Sequence, residues 1–576
     1  MSAPRSVVIH GHFYQPPRED PWLDEVEAEP SAAPFHDWNQ RIERECYRAV
    51  VAARIPGTEG RIARIVNALE WISFNFGPTL LEWLQREASD TYAAILEADA
   101  RSAARLGFGN AIAMPYHHAI LPLSSRRDKI TEVRWGIADF RRRFGREPIG
   151  MWLPETAVDH ETLEVLAVEG IRFTILAPHQ VARPPAMGWP GRYRAGGWEI
   201  AVFVYDGTLS HEVAFGPLIR DAAAWAQRMA PPPPAPAPHG TDPDPQLVSV
   251  ATDGETYGHH RRFGEMALAA VLDGLSRRGD VRVENFAAFL ARHPPSDPVE
   301  LVEPSSWSCP HGVARWQSDC GCRVAREVST HQRWRAPLRD ALGWLARRLH
   351  EVFEREGAAL LGEPWAVRDA YGAVAGLDQG GLERFADQWM TRSVAGDDLV
   401  RTRELLEMER NALRMFTSCG WFFDDIAGIE ARQVLRYAAR AIDLAGSARD
   451  ELETGLLEHL ARAESNDATI GNGANLYRRQ VKPRVAAAAR VAAGYAALTR
   501  LAPEARDAGL RGYTVRGADG LLTATNCRTG RAHAFSATVE MPSLARFEVQ
   551  VSEPGGHRVA LGLNDLPESA RQPVAR

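Results

Sequence analysis

Leu247-Val248-Ser249-Val250-Ala251-Thr252-Asp253-Gly254-Glu255-Thr256-Tyr257-Gly258-His259-His260 is the stretch on which the fold turns. Residues 247–252 form a short apolar, β-branched run of the kind found in a buried strand. The run ends on Asp253, and period-two alternation aims Asp253 and Glu255 to one side as the chain leaves the sheet. Gly254 and Gly258 permit the close backbone turns that a loop around a ligand needs. A helix N-cap would account for Asp253 alone, not for the His and Tyr residues around it.

Upstream, residues 6–10, 149–152, 171–176 and 200–205 read as buried strands of the same kind, with helical stretches between them. That alternation implies an α/β fold with parallel β/α architecture. It covers a first domain, residues 1–330. Residues 231–245, rich in Pro, Ala and Asp, cannot pack a core and read as a solvated insertion. Beyond residue 334 the pattern lengthens: Leu338, Leu342, Leu345, Leu349 and Val352 fall at helical spacing, and Leu435, Ala439 and Ile442 repeat it. A helical domain over 331–505 follows. Short strand-like runs at 513–515, 521–525, 547–551 and 559–563 then predict a small β-rich module over 506–576.

Among the 576 residues, 67 basic and 74 acidic side chains leave a net charge of -7, with neither sign gathered into a block. Nucleic acid is therefore not the expected partner. The start of the chain runs straight into the first strand, without a signal-peptide pattern, and no apolar run is long enough to span a bilayer. The reading is a cytoplasmic protein with no membrane partner. Six cysteines in a chain of this length do not make a disulfide framework. Three of them lie close together as Cys309, Cys320 and Cys322 with His311 between, a C-x-H…C-x-C pattern unlike the usual C-x2-C knuckle. Both a structural metal site and a substrate-facing loop fit it.

The first strand closes on His10-Gly11-His12, whose two imidazoles leave the same face, and runs through Phe13 and Tyr14 to Gln15-Pro16. Gly109-Asn110 leads to Tyr116-His117-His118. Gly150-Met151-Trp152-Leu153-Pro154-Glu155 is an apolar strand ending on a carboxylate, where aliphatic and aromatic neighbours raise the cost of ionisation.

Taken in order, His10-x-His12 with Gln15-Pro16, Gly109-Asn110 with His118, Trp152-Leu153-Pro154-Glu155 and Asp253-Gly254-Glu255 with Tyr257-Gly258 resemble the ordered sequence regions of glycoside hydrolase family 57. Phe13 and Tyr14 stand between His12 and Gln15-Pro16, where better-known members run on directly. The stretches at Trp307-Ser308-Cys309-Pro310-His311-Gly312 and Cys419-Gly420-Trp421 look like a branch with an additional C-terminal domain of unknown function. The resemblance implies an incomplete seven-stranded β/α barrel, a helical region behind it, no cofactor, and retaining action on α-glucans. It makes Glu155 the nucleophile and Asp253 the general acid/base. It implies an oligo- or polysaccharide partner, with His10, His12, Gln15, His118, Trp152, Glu255, Tyr257, His260, Trp307 and Trp421 as candidates for sugar contact. Hydrolysis, glucan transfer and branching all remain open. Two rival readings stand beside it. One is a metal-dependent deacetylase or phosphoesterase liganded by His10, His12, His118 and Asp253; the other is a non-catalytic glycan-binding protein.

Overall fold

The computed structural model describes the chain except residues 1–4, 58–60, 231–245, 296, 326–329, 376–380, 382–384, 386–387, 390–395, 509, 519–520, 544–545 and 576. The predicted proline-rich insertion, 231–245, thus lies outside the described residues. Two compact units are present, one made of Met1–Pro17 and Trp38–Arg315, the other of Arg18–Asp37 and Trp316–Arg576.

The first unit is built on strand Arg5–Phe13, buried along its whole length, as a strand covered on both faces must be. Parallel neighbours flank it: Ser73–Phe76 sets Ser73 opposite His10 and Asn75 opposite His12. Leu247–Asp253 sets Asp253 opposite His12 from the other side. The ring continues through parallel bridges Phe74 to Ala111, Ala113 to Met151 and Gly150 to Phe173. It then passes along Phe173–Leu176 into Trp198–Val204, also parallel. From there to Leu247–Asp253 the backbone bond from Asp206 N to Ser249 O, 2.8 Å, takes the place of a ladder among the described residues. This is the incomplete seven-stranded barrel. The expected strand at 149–152 shrinks to isolated bridges, and the Phe173 ring stands where a Cβ on Gly150 would be. Ser73–Phe76 was not foreseen: its Ser and Asn are buried inside the barrel, so its sequence lacks an apolar run.

Phe13 locks two strand ends together. A Cβ on Gly11 would lie 2.7 Å from its ring and one on Gly254 2.1 Å from it, while the ring stacks on Phe76 at 4.6 Å.

In the second unit, helices Arg335–Leu360, Asp397–Arg414, Ile429–Asp443, Arg449–Leu460 and Ala487–Leu501 pack around the predicted stripe, with Leu338, Leu342, Leu345 and Leu349 all fully buried. The predicted β module is a five-stranded antiparallel sheet in sequence order, longer than expected because Ala532–Ser543 is a strand throughout. Ala487–Leu501 packs on this sheet, so the helices and the sheet form one compact body instead of the two predicted. Residues 18–37, assigned by sequence to the barrel, join it through Glu19 to Arg414 (2.7 Å), Trp22 to Asp443 (2.7 Å) and Asp24 to Arg528 (3.0 Å). Among the described residues no helix is long and apolar enough to cross a membrane.

Candidate active site

His10 and His12 end the first strand side by side, as their spacing requires, and are buried to 0% and 5% exposure. Asn75, which sequence reasoning missed, stands between them. Its Oδ1 lies 3.1 Å from His10 Nε2, and its Nδ2 donates to His12 Nδ1 at 2.9 Å. His10 Nδ1 meets Ser73 Oγ at 3.0 Å, and His12 Nε2 meets His118 Nε2 at 3.1 Å. The network then fixes the tautomers. His12 accepts at Nδ1 and must carry its proton on Nε2, which donates to His118; His10 donates from Nε2 to Asn75 and accepts from Ser73. Burial pushes both His10 and His12 down to about 3, His10 also through the neighbouring His12, and burial lowers His118 too. All three imidazoles are neutral at pH 7. Tyr14 stacks on His118 at 3.7 Å.

Glu155 leaves the barrel on a short turn, Pro154–Thr156. Both Glu155 (φ 56) and Thr156 (φ 49) occupy the left-handed region, which costs on the order of 1–3 kcal/mol per non-glycine residue. What holds this turn is Gln180, fully buried. Its Oε1 accepts from Thr156 Oγ1 (2.7 Å) and Ala177 N (2.9 Å), and its Nε2 donates to Thr156 O (2.8 Å) and Ser305 Oγ (3.3 Å). Residues 305–308 run alongside as a strap. Val158 and Ser305 form a two-way backbone bridge, and Trp307 N donates to Glu155 O at 3.0 Å. The Glu155 carboxylate itself receives Ser308 Oγ (2.6 Å) and Trp307 Nε1 (3.1 Å), both on Oε2. Burial raises its pKa, while the Ser308 hydrogen bond, the Arg315 charge and the Trp307 hydrogen bond pull it back.

Asp253 ends the strand on the other side of His12. Burial first, and then the charge of Glu155, push its carboxyl up to about 7. Glu255, two residues on, is buried and already engaged: Tyr47 Oη donates to its Oε1 at 2.5 Å and Tyr14 N at 3.1 Å. Burial and the Asp253 charge push it up to about 8, against the Tyr47 hydrogen bond. Glu155 and Asp253 are largely buried, each retaining only partial exposure among fully buried neighbours.

Other predicted contacts fall differently. Trp152 is fully buried beneath the histidines, 4.7 Å from His10 and 5.2 Å from His12, and shows its edge to Trp307 at 5.1 Å. Tyr257 is also fully buried, its hydroxyl 3.0 Å from Thr252 Oγ1 and its ring stacked over Trp225. Neither presents the open ring face expected of it; the half-exposed indole at Glu155 is that of Trp307. Gln15 is half-exposed and donates to Tyr14 O at 3.0 Å. His260 is exposed beside Arg261 and Phe263, with its backbone N on Glu255 O. Trp421 belongs to the second unit, fully buried, with its indole donating to Arg335 O and Arg339 over its ring at 4.0 Å. The rival ligand set His10, His12, His118 and Asp253 does not form. Both nitrogens of His10 and of His12 are in hydrogen bonds, and among the described residues the side chains drawn together as metal ligands are the Cys309 group. Sequence reasoning also missed Ser308, Gln180 and Tyr47. Ser308 stood inside a motif already quoted, whereas Gln180 and Tyr47 carry no local signal.

The first unit is thus a seven-stranded β/α barrel that carries two carboxyl groups, Glu155 and Asp253, at its strand ends, the end at which barrel enzymes of this kind place their chemistry. Residues 20–301 match the model of glycosyl hydrolase family 57, and residues 330–571 that of a domain of unknown function, DUF3536. Residues 20–301 are thus a glycoside hydrolase family 57 domain, followed at residues 330–571 by the domain of unknown function. The chain is 22% identical over 259 residues to a 4-alpha-glucanotransferase of Thermococcus litoralis, covering 42% of this chain and 37% of that protein. It is 23% identical to an alpha-amylase of Pyrococcus horikoshii, covering 42% of this chain and 38% of that one. The matches thus span less than two fifths of either relative. The structure of an exo-type maltose-forming amylase from Pyrococcus sp. ST04 superposes over 88% of this chain and 93% of that one, with a TM-score of 0.62 at 16% identity, which shows the shared fold.

Proposed function

We propose that the protein is a retaining enzyme of α-glucans, hydrolysing or transferring α-glucosidic bonds, with Glu155 as nucleophile and Asp253 as general acid/base. The observation that carries this reading is the contrast between the two carboxyl groups. Glu155 receives two hydrogen bonds on one oxygen, which favours the anion that must attack the anomeric carbon. Asp253, pushed up to about 7, keeps the proton that the leaving oxygen needs and, once it has lost it, accepts one from water or an acceptor hydroxyl. Tyr14 and Tyr47 occupy Glu255 Oε1, which favours Asp253 over Glu255 for that exchange. The neutral histidines supply uncharged hydrogen-bonding groups suited to sugar hydroxyls, and Trp307 supplies an indole edge beside the nucleophile.

Incubation with maltooligosaccharides tests this, with reducing ends and chain-length redistribution measured together and the first-formed anomer followed by proton NMR. Retained α-configuration is expected. An inverted product, or no turnover on any α-glucan, would overturn the reading. Reducing ends without redistribution would identify a hydrolase, and redistribution without new ends a transferase.

A further inference from the structure

We propose that Cys309, His311, Cys320 and Cys322 bind one zinc ion, and that this site anchors the strap whose Trp307 and Ser308 hold Glu155.

All four side chains come from one stretch of chain, residues 309–322, and one ligand atom from each lies within 4.8 Å of all the others. A tetrahedral zinc with ordinary Zn–S and Zn–N bonds needs ligand atoms about 3.6–3.8 Å apart, so the widest pair has only about 1 Å to close. Three sulfurs and one imidazole are a borderline-soft donor set that suits zinc, and four protein ligands leave no open position, as in a structural site. The spacing departs from the usual knuckle, and the backbone shows how it still works. Gly312 (φ 76) and Gly321 (φ 78) take left-handed turns just after His311 and between Cys320 and Cys322. A Cβ on Gly312 would lie 2.5 Å from Pro304 O, so the turn is closed against the strap itself.

Charge supports the assignment. Three thiolates and a neutral imidazole around Zn2+ leave a formal charge of minus one. The buried guanidinium of Arg335 donates to Cys322 O at 2.9 Å and lies 3.9 Å from Cys320 Sγ, so a cation stands beside the ligand set. Regular structure here is sparse: over residues 309–322 the one helical element is the three-residue turn Ala314–Trp316. A metal cross-link supplies the order that secondary structure does not.

The link to chemistry is covalent continuity. Cys309 follows Ser308 directly, and Ser308 Oγ and Trp307 Nε1 are the donors to Glu155 Oε2. This part of the inference rests on the proposed role of Glu155; metal binding itself does not.

The full-length protein, purified under reducing conditions and desalted, is analysed for metal by plasma mass spectrometry; about one zinc per chain is expected. Mercurial titration of the wild type should release that zinc as thiols react, a measurement that does not require any variant to fold. Cobalt replacement should give the intense visible bands of a tetrahedral thiolate site. Cys320→Ser and Cys322→Ser should lose the metal, and Cys527→Ser should keep it. Zinc-depleted protein should lose about tenfold in kcat on maltooligosaccharides, with the acid limb of kcat/KM moving to higher pH as Glu155 loses its donors. Protein that stays metal-free after refilling with zinc, a disulfide joining any two of the three cysteines, or full metal content in both Ser variants would overturn the site. Metal loss with unchanged kcat and pH profile would overturn the link to Glu155. Zinc bound by a protein that turns over no glucan would instead count against the proposed activity.

Discussion

At residues 154–156 the backbone bends against its preference to present a carboxylate, while at 253–257 the chain leaves its strand without entering the left-handed region at either Asp253 or Gly254. Glu155 and Thr156 sit in left-handed conformations that only a web of bonds can hold, and Gln180 and the 305–308 strap form that web. Asp253 ends an ordinary parallel strand, followed by Gly254. The difference matches the roles proposed for the two groups. A nucleophile must stay ionised and aimed, so it is surrounded by donors; an acid/base must exchange a proton, so it is left to burial and a neighbouring charge.

The sharpest break of this comparison removes the proposed nucleophile. Glu155→Gln should lower kcat by about 10^4-fold or more on every glucan, because no covalent route remains. Asp253→Asn should cost about 10^2- to 10^4-fold on maltooligosaccharides but far less on aryl α-glucosides with acidic phenols, whose leaving group needs no proton. Steady-state kinetics on both substrate classes decide. If Glu255→Gln shows the selective sparing instead, the acid/base is Glu255.

Removing the clamp should have a smaller effect. Gln180→Ala leaves both carboxylates in place but frees the strained turn, so kcat should fall about tenfold with KM little changed, and thermal melting should show a lower midpoint. An unchanged kcat would mean that the strap alone aims Glu155.

The smallest effect concerns pH. Asp253 and Glu255 titrate near 7 and 8 in the folded protein, against about 3.9 and 4.3 in an unfolded chain. Between these limits the folded state binds more protons than the unfolded one. The stabilisation is therefore full below about pH 4 and is lost as pH rises through 7 and 8. Asp253→Asn should flatten that decline, raising the melting midpoint by about 2–4 °C more at pH 8 than at pH 5. The same proton sets the alkaline limb of wild-type kcat/KM, which should fall above about pH 7. A melting midpoint that rises with pH would contradict the assigned environments.

How much of this was legible in sequence follows from where the information lies. Strands such as 247–252 and 200–205 announce themselves because burial on both faces demands an unbroken apolar run. Ser73–Phe76 does not, because half its side chains turn inward as hydrogen-bond partners for histidines. Glu155 and Asp253 were visible as acids ending apolar runs. Gln180 was not, since its role exists only once residues 156, 177 and 305 are brought together in space. Trp152 and Tyr257 misled for the converse reason: an aromatic beside a catalytic motif reads the same whether it faces a sugar or supports a wall. The Cys309 group was legible as a pattern, but the turns at Gly312 and Gly321 that bring it together were not.

Phe13 carries a consequence for how this barrel can change over generations. Its ring fills the room left by the two side chains that Gly11 and Gly254 lack. An alanine at either glycine would strike the ring, and a smaller residue at 13 would leave a hole beneath both strand ends. None of the three positions can drift alone, so in related chains they are expected to vary as a set, and a single-step path between two such sets must cross a badly packed intermediate.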